Sequence, residues 1–312
     1  MRRPLRALLA TALGIAALTL AACGGDDGDG DPQTLLDEAA AKPIPNAEVD
    51  LSVDADMPGF PVLGSRLLAS ANGPWTADGP GGTPAFDWRA VLRAGGQTFP
   101  ARVSAVDGGL YVDFMGRFYE AGDELTSKVP FAEVEPGPDG ASLEQLGIDP
   151  ERWLTDVEVS DGEEVGGDDT KLITGTVAKR AVIEDLLGLV DPEQLEGAEG
   201  LPAPSEGNLG RVADAVRQAR VEINVDDDGY PRRVFAELRF VVPEDLSEEV
   251  AIERGRIVFD LELDAIGETT VSIEPPFDPD PLSSLFDFAG AIFGIEEISD
   301  LWRPIDAGGG GS

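Results

Sequence analysis

Histidine is absent from all 312 residues and cysteine occurs once, at Cys23. The first absence excludes Ser-His-Asp and Cys-His nucleophilic machinery, histidine-ligated zinc or haem, and histidine as a proton shuttle. The second excludes an internal disulfide, so an exported chain must hold its fold by packing alone. Basic residues are also scarce: 23 Lys and Arg stand against 60 Asp and Glu, for a formal charge of −37. Such a surface repels nucleic acid and anionic headgroups, and no basic patch offsets it. G-x-S-x-G, S-x-x-K, GxxxxGK and GxGxxG are all missing, which removes most hydrolase and nucleotide-binding readings. A pair of carboxylates still suffices for glycoside hydrolysis. With so many acids in the chain, however, sequence gives no means of choosing the pair. No catalytic residue, metal ligand or cofactor is therefore expected.

What is present begins at the N-terminus. Arg2, Arg3 and Arg6 introduce an apolar run from Ala7 to Leu20 that ends in Leu20-Ala21-Ala22-Cys23. A positive n-region, an apolar stretch too short to span a bilayer comfortably and small residues before the cut make a secretory signal peptide. Leu-Ala-Ala-Cys is a bacterial lipobox, in which the thiol takes a diacylglyceryl group and the cysteine becomes the mature N-terminus. We expect residues 1–22 to be a signal peptide and 23–32 a lipidated acidic tether. The mature chain is then anchored at Cys23 to the extracytoplasmic face of a cell membrane. Gly24 to Pro32 has nothing apolar to pack and reads as flexible and self-repelling. Asp27, Asp29, Asp31 and Glu38 match ligand positions of a calcium loop, but Pro32 stands where that loop needs glycine.

The chain beyond the tether alternates helical and strand patterns. A helix is predicted over about Gln33–Lys42, closed by Pro43. Val49, Leu51, Val53 and Ala55 then alternate with polar residues, as do Phe86, Trp88, Ala90 and Leu92, which is the period of a strand with one wet face. Val103–Val106 and Leu110–Phe114 flank the hairpin signal Asp107-Gly108-Gly109. Leu143–Leu154 reads as helical in pieces. Val157–Val165 and Lys171–Val177 form a second antiparallel pair, and an amphipathic helix follows over Lys179–Leu189. A loop over 191–207 and a short helix over Asn208–Gln218 precede a hairpin of Val221–Val225 with Tyr230–Val242. Ile257, Phe259, Leu261 and Leu263 mark the cleanest half-buried strand, and Val271–Ile273 a short edge. Leu282 to Phe293 has helical spacing, and a disordered glycine tail ends the chain.

These patterns predict an α+β fold in which a large, curved antiparallel sheet is covered on its concave face by helices. The domain is expected over 33–277, with a C-terminal helix and disordered tail over 278–312. Such an arrangement closes into a solid core or leaves an apolar cleft between sheet and helices.

Three segments carry a resemblance to a known family. They are Val106-Asp107-Gly108-Gly109-Leu110-Tyr111-Val112, the run from Val165-Gly166-Gly167-Asp168-Asp169-Thr170 to Ile173-Thr174-Gly175-Thr176-Val177, and Val221-Glu222-Ile223-Asn224-Val225-Asp226-Asp227-Asp228-Gly229-Tyr230-Pro231-Arg232-Arg233-Val234. With the lipobox and acidic tether before them, they resemble the LppX/LprG group of actinobacterial lipoproteins, relatives of the LolA carriers. The resemblance implies a half-open, LolA-like β-barrel around helices and a cavity that holds acyl chains for lipid or glycolipid transport. The chain departs from the pattern in its acidity, its 191–207 loop and its apolar 282–293 segment.

The functional expectation is a non-enzymatic lipid-binding lipoprotein, with Val53, Phe86, Trp88, Leu92, Leu186, Phe259 and Leu261 as candidate cavity walls. Its membrane partner is reached through the lipid anchor, lipid or glycolipid is the cargo, nucleic acid is excluded and no protein partner is identified. The alternative is an envelope adaptor whose charge steers a protein or polymer partner without lipid cargo.

Overall fold

The computed structural model describes residues 31–58, 66–79, 83–122, 126, 137, 139–188, 210, 213–242, 253–282 and 284. Cys23, the leader, the tether up to residue 30, the 191–207 loop and nearly all of the 282–293 segment lie outside them. Twelve strands are present: β1 (Asn46–Asp56), β2 (Arg66–Thr76), β3 (Ala85–Ala94), β4 (Gln97–Val106), β5 (Gly109–Phe114), β6 (Arg117–Ala121), β7 (Leu154–Asp161), β8 (Thr170–Val177), β9 (Val216–Asp226), β10 (Pro231–Val241), β11 (Arg254–Asp264) and β12 (Asp280–Pro281). They form one sheet in the order β12-β6-β5-β4-β3-β2-β1-β11-β10-β9-β8-β7, left open because its edges β12 and β7 are not hydrogen-bonded to each other. Every pairing is antiparallel except one. Asp280-Pro281 runs parallel to Tyr119-Glu120 and carries the sheet past residue 277.

Short turns build the left half of this meander. Gly95-Gly96, Asp107-Gly108 and Met115-Gly116 each have two successive positive φ angles (57° and 77°, 53° and 77°, 56° and 80°). These are the two-residue hairpin turns whose twist matches that of the strands they join. The register then aligns side chains across the sheet. Ile173, Ile223, Val234, Leu261, Leu51, Ala71, Ala90 and Ala101 fall in one row across eight strands, all on the apolar face. The opposite face carries ion pairs such as Arg66–Asp54 at 2.7 Å, Arg233–Asp260 at 2.7 Å and Arg256–Glu237 at 2.5 Å. Exposed pairs of this kind contribute at most about 1 kcal/mol each. Their main effect is to keep that face wet.

Among the described residues, three helices sit on the apolar side: α1 (Pro32–Ala41), α2 (Pro150–Trp153) and α3 (Lys179–Gly188). Asp31 caps α1, accepting from the Gln33 amide at 3.4 Å, and Pro32 opens it. The helix stops at the extended Lys42, as a residue before proline must. Leu36, Ala39 and Ala40 are its buried face. Asp149 and Pro150 start α2 in the same way. Its Trp153 is wholly buried and donates its indole N–H to Asp185 Oδ2 of α3 at 2.7 Å, while Arg152 pairs with Asp185 and Glu184 at 3.0 Å each. Leu36, Trp153, Val182 and Ile183 join Ile173, Ile223, Val234, Phe259 and Leu261 in one core cluster.

Several elements differ from the sequence-based expectation. The helix over 208–218 does not extend to Gln218: Ala213–Ala215 is helical, but Val216 already pairs with Phe240 and Gln218 with Arg239. A long pairing partner in β10 outweighs the modest helical preference of this stretch. Val271–Ile273 forms no strand. Leu143–Leu154 resolves into a turn held by reciprocal Ser142 and Gln145 bonds, followed by α2. Strands β2 and β6 are additions.

An open apolar hollow on the inner face of the sheet

The helices and the Ile44 and Ala141–Ile148 segments do not cover the whole apolar face. On β9 to β11, Val221, Ala236, Leu238, Phe259 and Leu261 are all buried. On β1 to β5 the burial ends partway along the strands. Val49, Trp75, Phe86, Trp88 and Leu110 are buried, whereas Leu51, Val53, Ala69, Ala71, Ala90 and Phe99, further along the same face, are only half-buried. A hollow of about 350 Å³ remains there. Its floor is Ala69, Ala71, Ala90 and Ala101, and its walls are Leu51, Val53, Leu92, Phe99, Val112 and Phe114. Ser70 and Val91 border it too, though strand alternation sends their side chains to the outer face.

The reason for the hollow lies in residue size. Four alanines meet at the centre of β2, β3 and β4, where Ala71 pairs with Ala90 and Ala90 with Ala101. Larger neighbours stand around them. On the side towards Asp107, Phe86 and Trp88 stack at 4.3 Å and close off the floor. On the other side β5 stops early: Asp113 pairs with Arg102, so Gln97 to Pro100 run on without a partner in β5. The hollow opens at this step in the sheet.

Of the seven candidate wall residues, Val53 and Leu92 line the hollow. Phe86, Trp88, Phe259 and Leu261 lie in the buried core beside it, and Leu186 on α3 is half-buried against that core. Sequence reasoning did not name the alanine floor, Leu51, Phe99, Val112 or Phe114 as lining. The available signal was the alternation of Leu67, Ala69 and Ala71 in β2, which Leu68 on the outer face and Gly73-Pro74 interrupt.

The lining holds no titratable side chain, and no group of three or more His, Cys, Asp or Glu residues suited to a metal ion occurs among the described residues. What the site offers chemically is apolar surface in a trough open to solvent at one side. At this size it matches the small end of ligand pockets.

No family model matches the chain, and no curated protein does. Among solved structures it is similar to the lipoprotein LprF from Mycobacterium bovis, with a TM-score of 0.48 and 13% identity over 79% of this chain and 97% of that one. It is also similar to the lipoprotein LppX from Mycobacterium tuberculosis, with a TM-score of 0.39 and 14% identity over 78% and 98% of the two chains. A LolA superfamily protein from Nitrosomonas europaea matches at a TM-score of 0.22 and 9% identity, over 78% of this chain and 96% of that one. No helix among the described residues is long and apolar enough to cross a membrane.

Proposed function

We propose that this chain is an envelope lipoprotein, anchored through Cys23, that shelters acyl chains of a lipid in the hollow above β1 to β5 and carries or presents that lipid at the outside of the cell. The observation that supports this reading most is an alanine-floored, apolar-walled trough left open beside the buried core of the same sheet face. A trough with no acid, base or nucleophile in its walls binds but does not transform. Each methylene moved from water into it contributes about 0.8 kcal/mol, so burial of about ten of them offsets the roughly 8 kcal/mol that micromolar binding represents without a polar contact. The lipobox supplies the rest: acylation at Cys23 holds the domain near the lipid it would exchange.

Organic extraction of the full, exported chain followed by mass spectrometry tests the proposal. Carrying acyl lipid in near-stoichiometric amount, beyond what is covalently attached at residue 23, is the expected result. An extract without lipid, from protein that melts cooperatively, removes the carrier reading and leaves the adaptor. Replacing Cys23 with Ala is expected to release the chain or leave it unprocessed, read by membrane fractionation.

A further inference from the structure

The two ends of the sheet have different chemistry. At one end the chain turns at Asp107-Gly108, through residues 162–169 and at Asp227-Asp228-Gly229, and leaves β11 through 265–269. Asp107, Glu163, Glu164, Asp168, Asp227 and Glu268 sit in these connections, and no Lys or Arg does. At the other end the β3–β4 and β5–β6 turns are Gly95-Gly96 and Met115-Gly116, without a charge. Met115 there is 82% exposed, Phe118 42% and Leu92 41%. Leu92 pairs with Phe99 on the hairpin that projects past the end of β5, and both line the hollow. Exposed apolar groups are thus collected at this end of β3 to β6, with Leu92 on the face of the hollow and Phe118, which pairs with Asp113, on the opposite face.

Arginines ring the same end. Arg66 and Arg117 hold Asp54 and Asp280 at 2.7 Å each in exposed pairs. Arg93 is exposed and has no carboxylate partner among the described residues. Across the sheet, the connection over 242–253 is again acidic in sequence, whereas that over 57–65 is as free of charge as the β3–β4 and β5–β6 turns.

We propose that this rim docks on a lipid bilayer, with Met115, Leu92 and Phe118 entering the headgroup layer, Arg93 receiving a lipid phosphate, and the acidic turns pointing away. A chain of formal charge −37 is repelled by an anionic surface in most orientations. Repulsion is screened beyond about 8–10 Å at physiological salt, so only the end that makes contact must be free of net negative charge. Apolar side chains grouped at such an end are the usual mark of a lipid-facing surface. Docked in this way, the step at the end of β5 faces the acyl region. The inference goes beyond the carrier reading, since it holds whether or not the hollow is filled.

The single native cysteine makes a direct test practical. The full, exported chain carrying Met115→Cys, and separately Asp227→Cys, is labelled with an environment-sensitive fluorophore and mixed with vesicles of equal parts phosphatidylglycerol and phosphatidylcholine; unmutated protein sets the background from residue 23. Expected is a blue shift and quenching by a lipid-borne quencher at 115 and neither at 227, with Arg93→Glu reducing the quenching at 115 severalfold while leaving the melting curve unchanged. Water-like emission at both sites, or equal quenching at both, overturns the proposal, and undiminished quenching in the Arg93 variant removes its phosphate contact. Lipid extraction of the same proteins before any vesicle is added separates the two ideas: docking without cargo sinks the carrier alone, and cargo without docking sinks this inference alone.

Discussion

Phe259 and Val53 face each other across the β11–β1 pair on the same apolar side, yet Phe259 is 1% exposed while Val53 lines an open hollow. The strands that carry them read alike, apolar at every second position. The difference comes from what lies above. Leu36, Trp153 and Val182 pack in one cluster with the β8 to β11 face, whereas the alanine floor of β2 to β4 has no comparable cover among the described residues. One continuous sheet is therefore a folding core on one side and the floor of an open apolar trough on the other.

The largest effect expected from breaking this contrast is on the sealed side. Phe259→Ala should cost about 3–5 kcal/mol in chemical denaturation, as for other fully buried aromatics, and Val53→Ala about 1 kcal/mol. Equal costs would show that the hollow is filled by protein.

A comparable loss is expected at the acidic end of the sealed half. Buried Arg232 bonds Asp226 at 2.6 Å and Asp168 at 2.7 Å, tying the 162–169 connection to the β9–β10 turn. Arg232→Ala strands the Asp226 carboxylate and should cost about 3 kcal/mol, read from the denaturation midpoint. On the open side the matching change is small. Leu92→Ser removes an already exposed wall residue and should leave stability within about 0.5 kcal/mol, while weakening retention of an acyl chain.

The smallest effect concerns pH. Glu48 lies directly opposite Asp264 across β1 and β11, and partial burial together with that like charge holds its carboxyl above the usual range. A raised folded pKa means that the charged form is disfavoured in the fold, so the penalty is present above that pKa and vanishes as pH falls towards the unfolded value of about 4.3. Glu48→Gln should gain about 0.5 kcal/mol near pH 7 and nothing in acid, measured by melting at both.

The same contrast explains what could be read from the sequence. Strands β1, β3 and β11 were legible because each has one wet face, and the 107–108 and 227–229 turns because Asp and Gly supply the required backbone angles. Strand β2 was not, since Leu68 sits on the wet face and Gly73 lets β3 approach so closely that a Cβ there would lie 2.3 Å from the Asp87 carbonyl oxygen. The 208–218 segment was read as helix because local spacing is blind to the partner that β10 provides. The hollow itself was only half legible. Alternation marks Leu51 and Leu261 as inward in the same way, and only the helices' placement decides which of them stays covered.

On the carrier proposal, the gap over Ala71 is space for a lipid chain. Native mass spectrometry of the full, exported protein and of its Ala71→Trp variant tests it most directly, because an indole on the floor fills the trough. The account predicts one retained lipid on the parent chain and little or none on the variant, with the two melting alike. A parent without bound lipid, or a variant that retains it undiminished, would contradict it.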